Sequence, residues 1–527
     1  MLAFNTNFKN GYRHTNNSDV IYKSLSDCLT ANDTKVLSPF VASIFTRYGN
    51  KPPYPFTIFD SVYETNNILS FDFDSSGDVK LGKLPYKDVS FTIDKYLAAL
   101  RNSVKTDRKN KIIFLSSGWD STCILALLVE KYGPEDITCI TLRMSYDAKN
   151  CSATFNPYEI KKAIAFCEHY KVKHVIADSD FSNKDVNQED RLKKLSNASL
   201  YNITAYNHQT LWNSVEKLGF DALDTVVYAG EFSDGAHNWG FSQSFGAVHP
   251  ELGLRQYADK VRAYFMSPAF LNRIFVGDET LSNDSLSKWL LPGPIKKVES
   301  CTAESDFLAD YLCDLYYQDV RGPYTKPDNL YIPTRLIESG KSIFRKSIVE
   351  PNMPSSINQV YKAYIDLYHY THWMSSTVHG LRHFAPDNYQ LIMPFGDQSV
   401  LELLRTMPTE FGRGLEIRPT KYPLKKILKE FVGYPLHLQE GKHAYIYDDD
   451  QSINLQHALM SSGSDFYELL YCEFNQNSNS LLTNNLPKLA EAVTLYTNNQ
   501  SDFKFAPPSD ITTAFLLLNS QLNYLLC

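Results

Sequence analysis

Apolar and polar positions change their period along this chain. Between about residues 110 and 235, short apolar, β-branched runs alternate with stretches of helical spacing. Lys111 to Leu115 (KIIFL) predicts a strand that stops at Ser116-Ser117-Gly118-Trp119-Asp120-Ser121, and Asp120 to Tyr132 then carries the helical period until Gly133-Pro134 ends it. Ile137 to Met144 predicts a second strand, Pro157 to Tyr170 an amphipathic helix and His174 to Ala177 a third strand. A helix over about Ala205 to Leu218 precedes a fourth strand at Thr225 to Ala229. Strands separated by helices of this length need crossover connections, which favour a parallel sheet covered on both faces, an α/β fold.

The flanks read differently. Residues 1–104 carry short Tyr/Phe/Val/Ile-rich runs, Phe56 to Val62 and Ile68 to Phe73, with Ser75-Ser76-Gly77-Asp78 as a hairpin-like turn before Val79. They predict a small β-rich module. Residues 105–254 form the strand-helix part, and 255–527 show helical patterning, as in Val360 to Val378 and Val400 to Met407, which predicts an all-helical lobe. Within it, Asn475 to Asn485 is polar and low in complexity and predicts a solvated loop. Thr512 to Cys527 predicts a buried packing helix.

Composition narrows the class. The 527 residues, 43% hydrophobic and 21% charged, describe an ordinary globular protein, and ~100–200 residues per domain gives room for roughly three domains. A formal charge of −7 repels a polyphosphate backbone, so no nucleic-acid partner is expected. The longest apolar run, Cys123 to Val129, falls far short of the ~20 residues that cross a bilayer. The first residues lack the pattern of a secretory signal, so a cytoplasmic location is expected. Nine scattered cysteines with no CxxC pair predict neither a disulfide framework nor a cysteine-rich zinc site.

The loop Ser116–Ser121 is where chemistry first shows. A turn of small residues entering a helix gathers backbone N–H groups and the positive end of the helix dipole, which suits a phosphate. The hydroxyls of Ser116 and Ser121 can donate to phosphate oxygens, and Asp120 can hold the accompanying Mg²⁺. The same residues also suit a plain helix cap. The fourth strand tips the balance, because it ends in Ala229-Gly230-Glu231-Phe232-Ser233-Asp234-Gly235 and ligands bind at the carboxyl ends of parallel strands. Two acidic loops then face one cleft.

With these two loops the chain resembles the asparagine synthetase family, whose PP-loop signature is S-G-G-x-D-S and whose later signature is S-G-E-x-S-D. Met393-Pro394-Phe395-Gly396-Asp397 resembles its V-P-F-L-D segment, Lys421-Tyr422-Pro423-Leu424-Lys425 its K-x-x-L-R helix start, and Gly441-Lys442-His443 the region of its C-terminal lysine. The five landmarks keep the family's order. The resemblance implies an ATP-binding sheet of the PP-loop type, with Ser116, Gly118, Asp120 and Ser121 on the pyrophosphate portion of ATP and Asp120 and Asp234 on Mg²⁺. Leu142 and Gly230 would line the nucleoside pocket, Glu231 would sit beside the reacting carboxyl, and Lys442 would neutralise the α-phosphate. It also implies a reaction: a small-molecule or peptide carboxylate attacks the α-phosphorus, pyrophosphate leaves, and ammonia or an amine displaces AMP to give an amide.

Departures from the family pattern are equally specific. Glutamine-using members carry a catalytic cysteine after the initiator Met, where this chain has Leu2, and its first cysteine is the internal Cys28. The 1–104 segment is about half a glutaminase domain, so a truncated, inactive remnant is expected. Nitrogen would then come from free ammonia, from a separate glutaminase subunit, or from an amine on the substrate itself, as in the β-lactam synthetases and lasso-peptide cyclases that the chain also resembles. Ser117 stands for a glycine of the phosphate loop, at a cost of ~1–2 kcal/mol if that position needs positive φ. This motivates an alternative, a nucleotide-binding but inactive partner protein. Gly235 and Gln390 replace acidic residues near the acceptor side and leave the substrate open. Gly340-Lys341-Ser342 has no glycine five residues earlier and no strand before it, so it is no Walker A loop. His369, His372, His379 and His383 have helical spacing that could build a metal site, yet their aromatic surroundings favour buried, hydrogen-bonded histidines.

Overall fold

A computed structural model describes residues 11–33, 35–46, 51–66, 70–74, 78–82, 84, 86–148, 151–154, 156–180, 188–201, 205–238, 267–280, 303–317, 331–353, 356–368, 377–411, 419–430, 433–440, 465–497 and 509–526. Its centre is the strand-helix rhythm of the sequence: β6 (Asn110–Phe114), α4 (Trp119–Tyr132), β7 (Ile137–Ala148), α5 (Pro157–Tyr170), β9 (Lys173–Asp180), α6 (Gln188–Asn197), α7 (Tyr206–Lys217) and β10 (Thr225–Tyr228). The helix over Pro157–Tyr170 has the bounds its pattern predicts. Pro157 sits in its first turn and Lys171 closes it in a left-handed conformation. Two features carry no signal in the pattern. β7 runs past Met144 and pairs antiparallel with β8 (Cys151–Thr154), and α6 precedes α7.

Five parallel strands form the main sheet in the order β9-β7-β6-β10-β11, where β11 is Gln390–Ile392. β11 comes from the segment whose pattern reads as helical. Three residues show no period of their own, and Leu391 and Ile392 are buried by pairing beside Val227 and Tyr228. The rest of the described C-terminal part is helical, including α9 (Pro268–Phe275), α10 (Glu304–Tyr317), α11 (Thr334–Phe344), α12 (Val360–Tyr368), α13 (Thr377–His383), α14 (Gln398–Arg405), α15 (Tyr422–Glu430), α16 (Asp465–Gln476), α17 (Ser480–Asn485), α18 (Pro487–Thr497) and α19 (Ser509–Leu526). The segment Gly340-Lys341-Ser342 lies inside α11.

The segment Asn475–Asn485, expected as a solvated loop, is largely exposed, but it carries the end of α16 and the whole of α17 in place of a loop. The Asn479 side chain caps α17 by accepting from Leu481 and Leu482 N–H, while Asn519 and Asn523 of α19 bond to Asn479 and Asn477. Asparagine here serves as cap and cross-link, with Leu482 fully buried beneath it.

Upstream, two small sheets account for the aromatic runs. β1 (Gly11–His14) lies between β2 (Asn17–Tyr22) and β3 (Val62–Thr65), and β4 (Phe71–Phe73) pairs with β5 (Val79–Leu81); residues 75–77 of the expected turn lie outside the described residues. Three helices join them: α1 (Leu25–Asn32), α2 (Val41–Thr46) and α3 (Ile93–Ser103). α1 and α2 share a core with α6 and α16 to α19, so the two ends of the chain pack together. Residues 511–522 of α19 are buried on every side, Asn519, Ser520 and Gln521 included. No helix among the described residues is long and apolar enough to cross a membrane.

Candidate functional site

Sheet order locates the site before any side chain does. From β6 the chain moves outward to β7 and β9, then returns to the other side of β6 with β10 and β11. The loops after β6 and β10 therefore diverge, and the crevice at their carboxyl ends is where an open α/β sheet takes ligands. The two loops touch. A Cβ on Gly230 would lie 3.1 Å from the Ser121 backbone nitrogen and 3.2 Å from Asp120 Cβ, so only a glycine lets the β10 loop come this close to α4.

Ser116–Ser121 forms a compact turn. Ser116 N–H donates to Ser121 Oγ (3.1 Å), Ser121 Oγ donates to Ser116 O (3.0 Å), and Gly118 N–H donates to Ser116 Oγ (3.2 Å). The N-cap of α4 is Gly118, and no side chain caps the helix, which leaves first-turn N–H groups without an intrahelical partner. Asp120 is therefore not a cap. Ser117 is buried outside the left-handed region, so the strain expected for serine at a glycine position is absent.

Asp120 and Asp234 converge on a residue to which the sequence assigns no role. Lys421 Nζ donates to Asp120 Oδ2 and lies 2.7 Å from Asp234 Oδ1. Asp120 Oδ1 accepts from Ser233 Oγ at 2.5 Å. Burial works to lower the Lys421 pKa, and the two carboxylates overcome it and hold it above its usual value. Glu231 stands between β10 and α8 (Ser233–Asn238). Burial first, then Asp234 and Asp120, push its pKa up to about 8, against Lys421. Burial also raises Asp234. Two carboxylates sharing one cation's position form a donor set that fits Mg²⁺, which is held by one or two carboxylates with the remaining positions left to phosphate and water. Among the described residues no group of three metal-type side chains converges.

Residues 419–430 and 433–440 contribute side chains that hold the phosphate loop. Gln439 Nε2 donates to Ser117 O (3.1 Å) and to Tyr434 Oη (2.6 Å), Tyr434 Oη lies 2.6 Å from Thr122 Oγ1, and the Tyr434 ring stacks on Trp119. Lys425 Nζ lies over the Trp119 ring at 5.1 Å. Lys442 lies outside the described residues. Phe232 (φ 74°) and Lys421 (φ 56°) hold left-handed conformations without being glycine, a strain that concentrates at functional sites. Leu142 is half-buried in β7, two residues beyond Ile140, which pairs with Phe114 at the end of β6; its carbonyl accepts from Asn156 Nδ2 (2.7 Å).

Two other expectations resolve here. Burial pushes the Cys28 thiol up to about 12, which makes it a poor nucleophile. His379 is buried and bonded to Glu64 and to Ala198 O, while His369 and His372 lie outside the described residues. Lys421 and Ser233 are the residues whose place at the centre is new. Both stand in the segments that resemble family motifs, which is the signal that points to them.

No family model and no curated protein matches the chain. Among solved structures it is similar to the U34-tRNA thiolase NcsA from Methanococcus maripaludis with its 4Fe–4S cluster, at 17% identity and a TM-score of 0.19, over 53% of this chain and 79% of that one.

Proposed function

We propose that this chain is an ATP-dependent, AMP-forming amide synthetase that adenylates a substrate carboxylate and passes it to ammonia or an amine. The observation that carries the reading is the convergence of Asp120 and Asp234 on Lys421 beside an α4 N-terminus that no side chain caps. Ser116, Gly118 and Ser121 cradle the pyrophosphate portion of ATP through loop N–H and hydroxyl groups, and Leu142 and Gly230 line the nucleoside. Asp120 and Asp234 would hold Mg²⁺, whose positive charge would favour departure of the pyrophosphate. Lys421 and Lys442 neutralise charge that builds on the α-phosphate as the carboxylate attacks. Glu231, its pKa raised to about 8, takes the proton of the attacking amine only in its ionised form, whose population grows as the pH rises toward 8. Small or peptide carboxylates, a separate glutaminase subunit and an intramolecular amine all remain within this proposal.

The test is exchange of labelled pyrophosphate into ATP across a panel of amino acids, sugar acids and peptides. Carboxylate-dependent exchange is expected, falling by ~100-fold or more in Asp120→Asn. ATP binding without exchange on any carboxylate would leave a binding protein and remove the synthetase reading.

A further inference from the structure

Behind the site a line of hydrogen bonds runs from α3 to Asp120, and the site as described above uses only its last two members, Ser233 and Asp120. The Tyr96 hydroxyl lies 2.6 Å from His237 Nε2. His237 Nδ1 lies 2.8 Å from its neighbour Ser233 O and 3.0 Å from Ser233 Oγ. Ser233 Oγ then donates to Asp120 Oδ1 at 2.5 Å. Tyr96, Ser233 and His237 are all buried, at 0%, 1% and 1% exposure, so water does not compete for these bonds.

The direction of each bond follows from its ends. A carboxylate only accepts, so the Ser233 hydroxyl hydrogen points to Asp120. A backbone carbonyl only accepts, so His237 carries its hydrogen on Nδ1, shared between Ser233 O and Ser233 Oγ. In the neutral ring Nε2 accepts, and the Tyr96 hydroxyl is then its donor. Every donor points toward Asp120, and such chains strengthen their members. Without the His237 N–H, the Ser233 hydroxyl loses the donor that fixes its rotor and is free to turn away from Asp120.

We infer that His237 and Tyr96 are positioning residues that hold the Asp120 carboxylate, through Ser233, in the orientation needed to take a divalent cation together with a nucleoside triphosphate. The inference rests on the proposed nucleotide site and deepens it. It distinguishes two sides of Asp120: Oδ1 is held from behind by Ser233, and Oδ2 faces Lys421 and the crevice.

The experiment measures ATP affinity by calorimetry, with Mg²⁺ and with EDTA, in wild type, His237→Phe, Tyr96→Phe and His237→Asn, with circular dichroism as the folding check. The net value of one buried hydrogen bond corresponds to about tenfold in affinity. His237→Phe is expected to lose about tenfold in Mg²⁺ and nothing in EDTA, Tyr96→Phe roughly threefold in Mg²⁺ alone. His237→Asn keeps an N–H close to Nδ1 and is expected to stay within about threefold of wild type. Unchanged affinity in Mg²⁺, or equal losses in Mg²⁺ and EDTA, overturns the positioning role while leaving the nucleotide site standing. If His237→Phe does not fold, Tyr96→Phe, which removes one oxygen, decides by the same criteria. A wild type that binds no ATP in either condition overturns the nucleotide site itself and this inference with it.

Discussion

A carboxyl group that keeps its proton at neutral pH loads the fold with a pH-dependent cost, and Glu231 is such a group. Its pKa of about 8 lies above the 4.5 of an unperturbed glutamate. Between these values the folded chain holds a proton that the unfolded chain has released, so stability falls as the pH rises through that window, and the full cost is present above pH 8. One retained proton costs ~1.4 kcal/mol for every pH step of one across the window, so the loss is on the order of a few kcal/mol. Glu231→Gln is therefore expected to flatten the decline in melting temperature between pH 5 and pH 9. A variant whose profile tracks wild type would place the Glu231 proton elsewhere. The identity of Glu231, Asp120 and Asp234 as candidates was legible in the sequence, because a motif keeps its residues contiguous. Lys421 stood in a motif-like segment too, but its role was not legible, since its partners are about 190 and 300 residues away and an ion pair leaves no trace in local spacing.

At the scale of elements, the decisive contact is the approach of the β10–α8 turn to the first turn of α4. A methyl group at Gly230 meets backbone atoms of α4 at 3.1–3.5 Å, and backbone cannot swing aside as a flexible side chain can. Gly230→Ala is expected to cost ~1–3 kcal/mol and to weaken ATP binding as the two loops part. Gly219→Ala provides the contrast. At φ +70° with nothing within 4 Å, it carries only a backbone cost of ~1–2 kcal/mol and should leave ATP affinity unchanged. Denaturant unfolding and calorimetry on both variants separate the effects. Elements with a full amphipathic period and clear ends, α5 above all, are read from sequence to the residue. β11 and α17 are not. Three residues are too few for a period, and the asparagines around Asn479 act through caps and cross-links that composition alone reads as solvent-facing.

Across the whole molecule, a buried ion cluster ties the first hundred residues to the C-terminal helices. Glu64 on β3 lies 2.5 Å from Lys51 Nζ and 2.8 Å from His379 Nδ1 on α13, with all three side chains no more than 2% exposed. His379 Nε2 is 2.5 Å from Ala198 O, beyond α6. Burial drives the Glu64 pKa up, and His379 and Lys51 overcome it to leave the carboxyl well below its ordinary value. Removing the acid leaves the buried Lys51 ammonium and the His379 ring without the carboxylate they bond to, so Glu64→Gln is expected to destabilise by ~3–5 kcal/mol. A large fall in denaturant midpoint checks this, and a change under ~1 kcal/mol would mean that the cluster is hydrated. β11 gives the sheet a further property, one of timing during synthesis. Until residues 390–392 dock, Thr225–Tyr228 is an apolar edge strand with one side unpaired, and its partner is made about 160 residues later. At ~5–20 residues per second that interval lasts roughly ten to thirty seconds. For that time the nascent chain exposes a strand edge that recruits other chains, and slower translation between residues 228 and 390 is a hazard to its yield.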